Sequence, residues 1–226
     1  MDILAVGAHP DDVEIGMAGT ILQAVEEGLS VGIVDLTNGE PTPFGSVEER
    51  LAEAEKAARA LGVVFRRILP FPNRYLVDSI EAREMLAGII RLTRPRWLFV
   101  HYWEDAHPDH LAAQAIGEAA RFYAKLTRTP MPGEPWWPER VFHFFSTHIR
   151  VTPQPAFIVD ISPFLERKLA ILSLYESQFI RGRGDRAALL RIETEARGYG
   201  ARIGRAAGEP FVTRETVGLG SLRGLI

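Results

Sequence analysis

The sequence contains no cysteine, no long apolar run and no excess of basic charge. Without cysteine there are no disulfides, thiolate metal sites or cysteine nucleophiles, which fits a reducing compartment, so we expect a cytoplasmic protein. No apolar stretch approaches the roughly 18 residues that span a bilayer, and the first residues have the pattern of a strand rather than a signal peptide, so we expect no membrane partner. The formal net charge of −3 gives no electrostatic case for nucleic-acid binding.

Short apolar runs alternate with helical patterns along the chain. The predicted strands are 3–7, 31–36, 63–69, 97–101 and 141–145, with a sixth at 157–159. The predicted helices are 16–27, 47–61, 79–92 and 111–126, followed by 162–175 and 186–202 in the tail. This alternation predicts an α/β fold with a Rossmann-like, doubly wound, mostly parallel sheet. Right-handed crossovers favour the strand order 3-2-1-4-5, with helices on both faces and a helical C-terminal tail.

The chain shows no internal repeat and no linker-like composition, and its 226 residues suffice for one well-buried core. We therefore expect a single domain over residues 1–226. Two proline-rich loops, at 38–45 and 127–138, separate predicted elements. Loops of this kind at strand ends commonly wall a pocket.

Polar residues follow two of the predicted strands at the point where each strand ends. AHPDD occupies 8–12 after the first strand, and HYWEDAHPDH occupies 101–110 at the end of the fourth. In the order 3-2-1-4-5 these strands are neighbours, and ligands bind in the crevice between their carboxyl ends. Either cluster alone is typical of a turn, but the two together predict one shared site.

The residue types in these clusters indicate a metal. A catalytic zinc takes three nitrogen or oxygen ligands and keeps one position open, whereas closed structural sites are rich in thiolate. His9 and Asp12 share a turn and His110 lies at a helix start, so these three residues are the predicted ligands. Asp11 is then left beside the ion as a general base, because a metal lowers the pKa of water towards ~7.

The remaining polar residues of the second cluster have supporting roles in this prediction. His107 is a candidate acid or electrophile, and Asp109 is a candidate orienting carboxylate. Of the other histidines, His101 is expected to be packed or to support a ligand, His143 to lie in the core, and His148 to lie near the pocket.

AHPDD at 8–12 together with HPDH at 107–110 resembles the LmbE-like, or PIG-L, family of zinc-dependent N-acetylglucosaminyl deacetylases. The longer AHPDDVEIGMAGT at 8–20 is similar to the bacillithiol-biosynthesis branch, which removes acetate from N-acetylglucosaminyl-malate. The resemblance implies a hydrolase that acts on a small N-acetylated amino-sugar substrate. It also implies one Zn²⁺ per chain, and Fe²⁺ would suit the same ligands. The resemblance further implies a homo-oligomer, often a hexamer.

Site roles follow from the resemblance by position. It implies His9, Asp12 and His110 as zinc ligands and Asp11 as the base. In the same way, His107 matches a histidine that stabilises or protonates the tetrahedral intermediate, with Asp109 as its partner.

The resemblance also points to residues outside the two motifs. It implies Arg50 in the pocket and Tyr199 as a donor to the oxyanion. Arg150 is a candidate for holding the malate carboxylates, since a planar guanidinium suits bidentate carboxylate binding. His148 is a further candidate for the substrate pocket.

Several functions remain open from the sequence. The deacetylase could act on another N-acetylglucosaminide, with a chitobiose-like or inositol-linked aglycone. A metal-dependent phosphoesterase would need ligands for a second cation about 3.5–4 Å from the first. A dinucleotide-binding module is disfavoured, because GAHPDD replaces the G-x-G-x-x-G turn and places carboxylates where a pyrophosphate would lie. A carbohydrate-binding protein with a vestigial site is disfavoured by the intact Asp11.

Overall fold

The computed structural model describes residues 1–149, 153–181 and 187–220, and its centre is one mixed sheet. In these ranges seven strands lie in the order β3-β2-β1-β4-β5-β7-β6. Their bounds are β1 Ile3–Gly7, β2 Val31–Thr37, β3 Phe65–Phe71, β4 Trp97–His101, β5 Arg140–Phe144, β6 Phe157–Asp160 and β7 Gly208–Val212. Strands β1 to β5 are parallel, and β7 is antiparallel to both of its neighbours. The predicted fold class and the order 3-2-1-4-5 are confirmed.

Helices cover both faces of the sheet. Their bounds are α1 Asp12–Glu26, α2 Val47–Leu61, α3 Ile80–Thr93, α4 Pro108–Ala124, α5 Leu165–Leu172, α6 Glu176–Phe179 and α7 Ala187–Ala201. Alternate β1 side chains face opposite cores: Ile3 and Ala5 pack in the core that includes α1, α2, α5 and α7, whereas Leu4 and Val6 pack with α3 and α4. Among the described helices none is long and apolar enough to cross a bilayer.

The tail departs from the sequence prediction in two places. The helix predicted over 162–175 is divided into a 3-10 turn at Ser162–Phe164 and helix α5, which ends at Leu172, and a separate short helix, α6, begins at Glu176. Tyr175 leaves the helical conformation (φ −84°, ψ 65°), and its hydroxyl donates to the buried Glu14 at 2.7 Å. Strand β7 was not predicted, because Pro210 lies within it and proline disfavours an interior strand. Strand β5 pairs only with Phe211 and Val212 of β7, so Pro210 lies outside that ladder.

A buried ion cluster attaches α1 to the sheet next to the site. The Arg66 guanidinium on β3 lies 2.6 Å from a Glu14 carboxylate oxygen on α1 and 2.8 Å from Asp35 on β2. Burial raises the pKa of Asp35 to about 6, against the opposing effect of Arg66. One guanidinium therefore joins three elements beneath the first turns of α1.

Candidate metal centre

A cleft of about 270 Å³ lies at the carboxyl ends of β1 and β4, the position that the predicted strand order gives to the site. The proline-rich loop 38–45 contributes Gly39, Pro41 and Thr42 to its wall, as expected. The loop 127–138 contributes no residue to the lining of this cleft. That loop joins the end of α4 to the start of β5, so it lies at the amino ends of the strands, where Arg91 binds the Gly133 carbonyl at 2.8 Å.

The turn between β1 and α1 sets the direction of three polar side chains. The His9 backbone N–H donates to Asp12 Oδ2 at 2.8 Å, and the Asp12 N–H donates back to the His9 carbonyl at 3.2 Å. Asp11 between them has φ 119°, in the left-handed region that non-glycine residues rarely adopt. This conformation separates the Asp11 carboxylate from that of Asp12, and Asp11 Oδ2 lies 3.1 Å from Arg50 Nη2.

The three predicted ligands meet in the fold. His9, Asp12 and His110 are buried and each offers one ligand atom, all within 4.8 Å of one another. Asp12 lies between the imidazoles, with Oδ2 3.2 Å from His9 Nδ1 and Oδ1 3.2 Å from His110 Nε2. Two imidazole nitrogens and one carboxylate oxygen are the donor set of an open catalytic zinc site and also suit ferrous iron.

Each of the two imidazoles has a carboxylate on its other nitrogen. His9 Nε2 lies 3.1 Å from Asp109 Oδ2, and His110 Nδ1 lies 2.9 Å from Asp105 Oδ2. The Ser146 hydroxyl donates to the same Asp105 oxygen at 2.8 Å. A carboxylate that accepts the outer N–H of a histidine leaves its inner nitrogen free for a metal, an arrangement common to metal-ligating histidines. This fit supports a divalent ion among His9, Asp12 and His110.

The electrostatics of the group agree with that fit. Burial alone would lower the pKa values of His9 and His110, but the nearby Asp12 carboxylate raises them to about 9 and about 10. Burial alone would raise the pKa of Asp12, yet the imidazoles of His110, His101 and His9 hold it well below its usual value. The carboxylate thus attracts positive charge strongly, and a bound cation would take the place of these protons.

Asp11 has a different environment from Asp12. Burial is the main cause that raises its pKa to about 7, and the opposing charge of Arg50 does not cancel that effect. A carboxyl group with a pKa near neutrality is suited to both accepting and returning a proton. The predicted base is therefore a carboxyl group with 13% of its side chain exposed, beside the predicted metal ligands and outside their set.

The position of Asp109 corrects one sequence prediction. Its carboxylate was expected to partner His107, but it accepts from His9 and from the backbone N–H groups of Arg74 at 2.6 Å and Leu76 at 3.2 Å. The link to His107 runs through the backbone instead, since the Asp109 N–H donates to His107 Nδ1 at 3.2 Å. The sequence could not reveal this, because the two N–H groups come from a loop 35 and 33 residues away.

His107 lines the cleft as a neutral imidazole. Burial, reinforced by the charges of His110 and His9, lowers its pKa to about 4. Because its Nδ1 accepts the Asp109 N–H, the ring proton lies on Nε2, where it can be donated.

The remaining histidines lie where the sequence placed them. His101 is fully buried, with Nε2 accepting the Ala8 N–H at 3.1 Å and lying 3.2 Å from Asp12 Oδ2. His143 is buried beside Glu118 at 3.0 Å, and His148 lines the cleft.

Of the arginines and the tyrosine predicted to serve the site, only Arg50 is found in the cleft. It is 3% exposed, and its Nε and Nη1 atoms have no hydrogen-bond partner among the described residues. Arg150 lies outside the described residues. Tyr199 lines a neighbouring cavity of about 170 Å³, which shares Ile15 and Thr147 with the cleft. The structure therefore gives no support to Tyr199 as a donor to the oxyanion.

Asp105, Arg74 and Arg191 are among the cleft and supporting residues that were not identified from the sequence. Asp105 is inside the second cluster and five residues before His110, a spacing that could have indicated it. Arg74 and Arg191 line the cleft from segments without a motif, so nothing in the sequence pointed to them.

Comparison with known proteins places this geometry in a family. Residues 4–121 match the family model described as PIG-L, GlcNAc-PI de-N-acetylase. The chain is 31% identical over 191 residues to the diacetylchitobiose deacetylase of Thermococcus kodakarensis, covering 78% of this chain and 70% of that protein. It is 32% identical over 174 residues to the 1D-myo-inositol 2-acetamido-2-deoxy-α-D-glucopyranoside deacetylase of Nocardiopsis dassonvillei, covering 62% of this chain and 61% of that protein.

The fold has a solved counterpart of similar length. The conserved protein TT1542 from Thermus thermophilus superposes with a TM-score of 0.89 at 40% identity, covering 97% of each chain. The matched region of the family model includes the first cluster and the second, so both halves of the metal centre lie inside it.

Proposed function

The chain belongs to the PIG-L family of de-N-acetylases, and from that premise we propose that it is a metal-dependent N-acetylglucosaminide deacetylase. The observation that carries the proposal is the convergence of two imidazoles and one carboxylate at adjacent strand ends, with a separate, partly buried carboxyl group beside them. Amide hydrolysis requires activation of a carbonyl, delivery of water and protonation of the departing amine. The described residues provide a group for each of these tasks.

In this proposal His9, Asp12 and His110 hold one divalent ion per chain, zinc or ferrous iron. When bound, the ion supplies Lewis acidity, which polarises a carbonyl and lowers the pKa of water. Asp11 accepts the proton of the attacking water and returns it to the amine that leaves. Its pKa of about 7 suits it to both steps.

Two further residues act on the acetyl group and the sugar. His107 donates its Nε2 proton to the oxyanion that develops in the transition state, an interaction that is worth most in a site from which water is excluded. Arg50 fixes the Asp11 carboxylate through the 3.1 Å contact and directs its remaining N–H groups to the substrate. Asp109 holds His9 in the tautomer that binds the ion.

The finer proposal is that the substrate is N-acetylglucosaminyl-L-malate, in bacillithiol biosynthesis. It is supported by the resemblance of residues 8–20 to that branch. The alternatives are a chitobiose-like substrate and an inositol-linked one, on which the relatives named above act. The phosphoesterase alternative is disfavoured, because a second ion would need its own ligands. Among the described residues, the second group that could hold a metal, His9, His107 and Asp109, shares His9 with the first.

We also propose that residues 1–226 form a single domain and that the chain acts as a homo-oligomer, such as a hexamer. The cytoplasmic location stays a prediction, based on the absence of cysteine.

A substrate panel tests the proposed function. The metal-loaded protein is incubated with N-acetylglucosaminyl-malate, N-acetylglucosaminyl-inositol and N,N′-diacetylchitobiose, and the released acetate is measured. We expect acetate release that a chelator abolishes and added Zn²⁺ or Fe²⁺ restores, with the highest kcat/KM on the malate conjugate. Absence of acetate from all three compounds would refute the deacetylase, and a higher kcat/KM on a neutral conjugate would refute the malate assignment alone.

A further inference from the structure

Among the described residues that line the cleft outside the metal centre, positive charge exceeds negative charge. Two carboxylates, Asp11 and Asp12, and the guanidinium groups of Arg50, Arg74 and Arg191 line the cleft. Asp12 belongs to the metal group, and Asp11 is paired with Arg50. Among the described residues, Arg74 and Arg191 are therefore left without a carboxylate in the cleft to neutralise them.

Arg74 is held in place by its backbone and leaves its side chain largely free. Its N–H donates to Asp109 at 2.6 Å, and its φ of 68° is a left-handed conformation that residues other than glycine adopt rarely. The guanidinium donates once, from Nη2 to the carbonyl of Pro41 at 2.7 Å, and Pro41 also lines the cleft. No carboxylate within the described ranges forms an ion pair with it. Because a guanidinium has five N–H groups, most of its donors are available.

Arg191 reaches the cleft from α7. Its Nη2 donates to the carbonyl of Thr147 at 3.2 Å, and Thr147 also lines the cleft. The ion pair between Arg191 and Glu195 is long, at 3.9 Å, and exposed, so it neutralises little of the charge. Arg191 thus brings a second guanidinium to the same cleft, from a different element.

The charge of these two arginines indicates which kind of group is attached to the amino sugar of the substrate. A neutral sugar or cyclitol gains little from two unneutralised guanidinium groups, whereas a carboxylate or phosphate forms charge-assisted, often bidentate, hydrogen bonds with them. We propose that Arg74 and Arg191 form a subsite that selects an N-acetylglucosaminide with an anionic aglycone. This inference rests on the proposed function and assigns its substrate preference to two residues.

The test compares anionic with neutral substrates in matched variants. The variants are R74Q, R191Q and the double variant, and the control is R197Q. Arg197 is also on α7, bonded to Glu193 at the exposed surface, and its substitution changes the net charge by the same amount. Thermal unfolding midpoints of all variants establish that the fold is retained. The substrates are N-acetylglucosaminyl-malate, N-acetylglucosamine 1-phosphate and methyl N-acetylglucosaminide, and the readout is kcat/KM for acetate release.

Each single substitution should lower the anionic-to-neutral ratio of kcat/KM about tenfold, the loss expected for one hydrogen bond to a charged group. The double variant should lose more, and R197Q should keep the wild-type ratio. A lower ratio of kcat/KM with the malate conjugate, with the phosphate or with both supports the subsite and identifies the anion that it binds. A wild-type ratio in the double variant overturns it.

The subsite can be tested even if the proposed function fails. If none of the substrates releases acetate, the deacetylase proposal fails, and calorimetric binding of the same three compounds then tests the subsite. Tighter binding of the anionic compounds that is lost in the double variant would support it. Equal binding of anionic and neutral compounds by the wild-type protein would overturn it.

Discussion

At the scale of single residues, the metal centre depends on which nitrogen of each histidine faces inward. His110 faces Asp12 with Nε2 and Asp105 with Nδ1, at 3.2 and 2.9 Å. The side chain of Asp105 is 2% exposed, and although burial raises its pKa, the hydrogen bond and charge of His110, with further hydrogen bonds, lower it to about 2. A permanently ionised Asp105 therefore fixes the outer proton of His110 and frees the inner nitrogen for the ion.

Replacing Asp105 by asparagine should weaken metal binding without removing a ligand. An amide accepts the His110 proton less strongly than a carboxylate, and outer partners of this kind contribute roughly 10- to 100-fold to metal affinity. We expect the zinc dissociation constant of D105N to rise by that factor in a competition assay with a chelating dye. D78N is the matched control, because Asp78 is a carboxylate paired with Arg83 outside the cleft. Equal zinc affinity in D105N and wild type would contradict this role.

Residues that are adjacent in a motif could be predicted from the sequence. Isolated residues that reach the site only through the fold could not. His9, Asp11 and Asp12 are close together in the chain, and their types alone indicated a cation and a base. Arg74 is an ordinary arginine in a loop, and its bonds to Asp109, 35 residues away, and to the Pro41 carbonyl fix it at the cleft. Asp109 was predicted with a role but with the wrong partner, since its partner His9 is 100 residues away.

At the scale of elements, helix α1 is interrupted just after the residues that it brings to the site. Met17 has non-helical dihedral angles, φ −152° and ψ 22°, and a break of this kind leaves backbone donors and acceptors without helical partners. Lys168 of α5 donates to the Ile15 carbonyl at 2.7 Å, on the near side of the break. The first turn of α1 is thus capped from the tail of the chain.

Glu209 of β7 caps the far side of the same break. Its carboxylate accepts the N–H groups of Gly19 at 3.0 Å and Thr20 at 2.7 Å. It also lies 2.6 Å from Lys168 Nζ, with both side chains at most 3% exposed. A buried ion pair therefore fixes the positions of the two segments of α1 relative to each other and to β7.

Replacing Glu209 by glutamine should destabilise the fold strongly, because it leaves the buried Lys168 ammonium without its counter-charge. Breaking a buried pair on one side costs about 3–5 kcal/mol, so we expect the free energy of unfolding of E209Q in urea to fall by about that amount. E193Q removes an exposed carboxylate that is paired with Arg197 and should cost less than about 1 kcal/mol. A fall of similar size in both variants would contradict the account of the break.

The predicted elements differ from the observed ones where distant contacts decide. Helix α1 begins at Asp12, four residues before the predicted start, because the Ile15 N–H donates to the Asp11 carbonyl at 2.8 Å and closes the first turn there. Strand β7 carries Glu209 and Pro210, a pair that argues against a strand, and its place between β5 and β6 depends on antiparallel pairing. Local sequence shows neither this pairing nor that the N–H groups at the break in α1 require the Glu209 carboxylate as an acceptor.

At the scale of the whole molecule, the fold unites two half-sites that are almost a hundred residues apart. Parallel pairing of β1 with β4, in the register Ile3 with Trp97, brings the carboxyl ends of both strands to one edge. The topological rule for open α/β sheets predicted this meeting from the strand order. What it could not predict is which walls complete the cleft, since those come from the tail and from loops after other strands.

The central claim is that the two adjacent carboxylates of the first cluster have different tasks, Asp12 for the ion and Asp11 for the proton. The most direct test measures metal content and acetate release on the same samples of wild type, D11N and H110A. The account predicts that D11N keeps one ion per chain and loses at least about 100-fold in kcat, whereas H110A loses the ion itself. Full turnover in D11N, or loss of its metal, would contradict the division of tasks between Asp11 and Asp12.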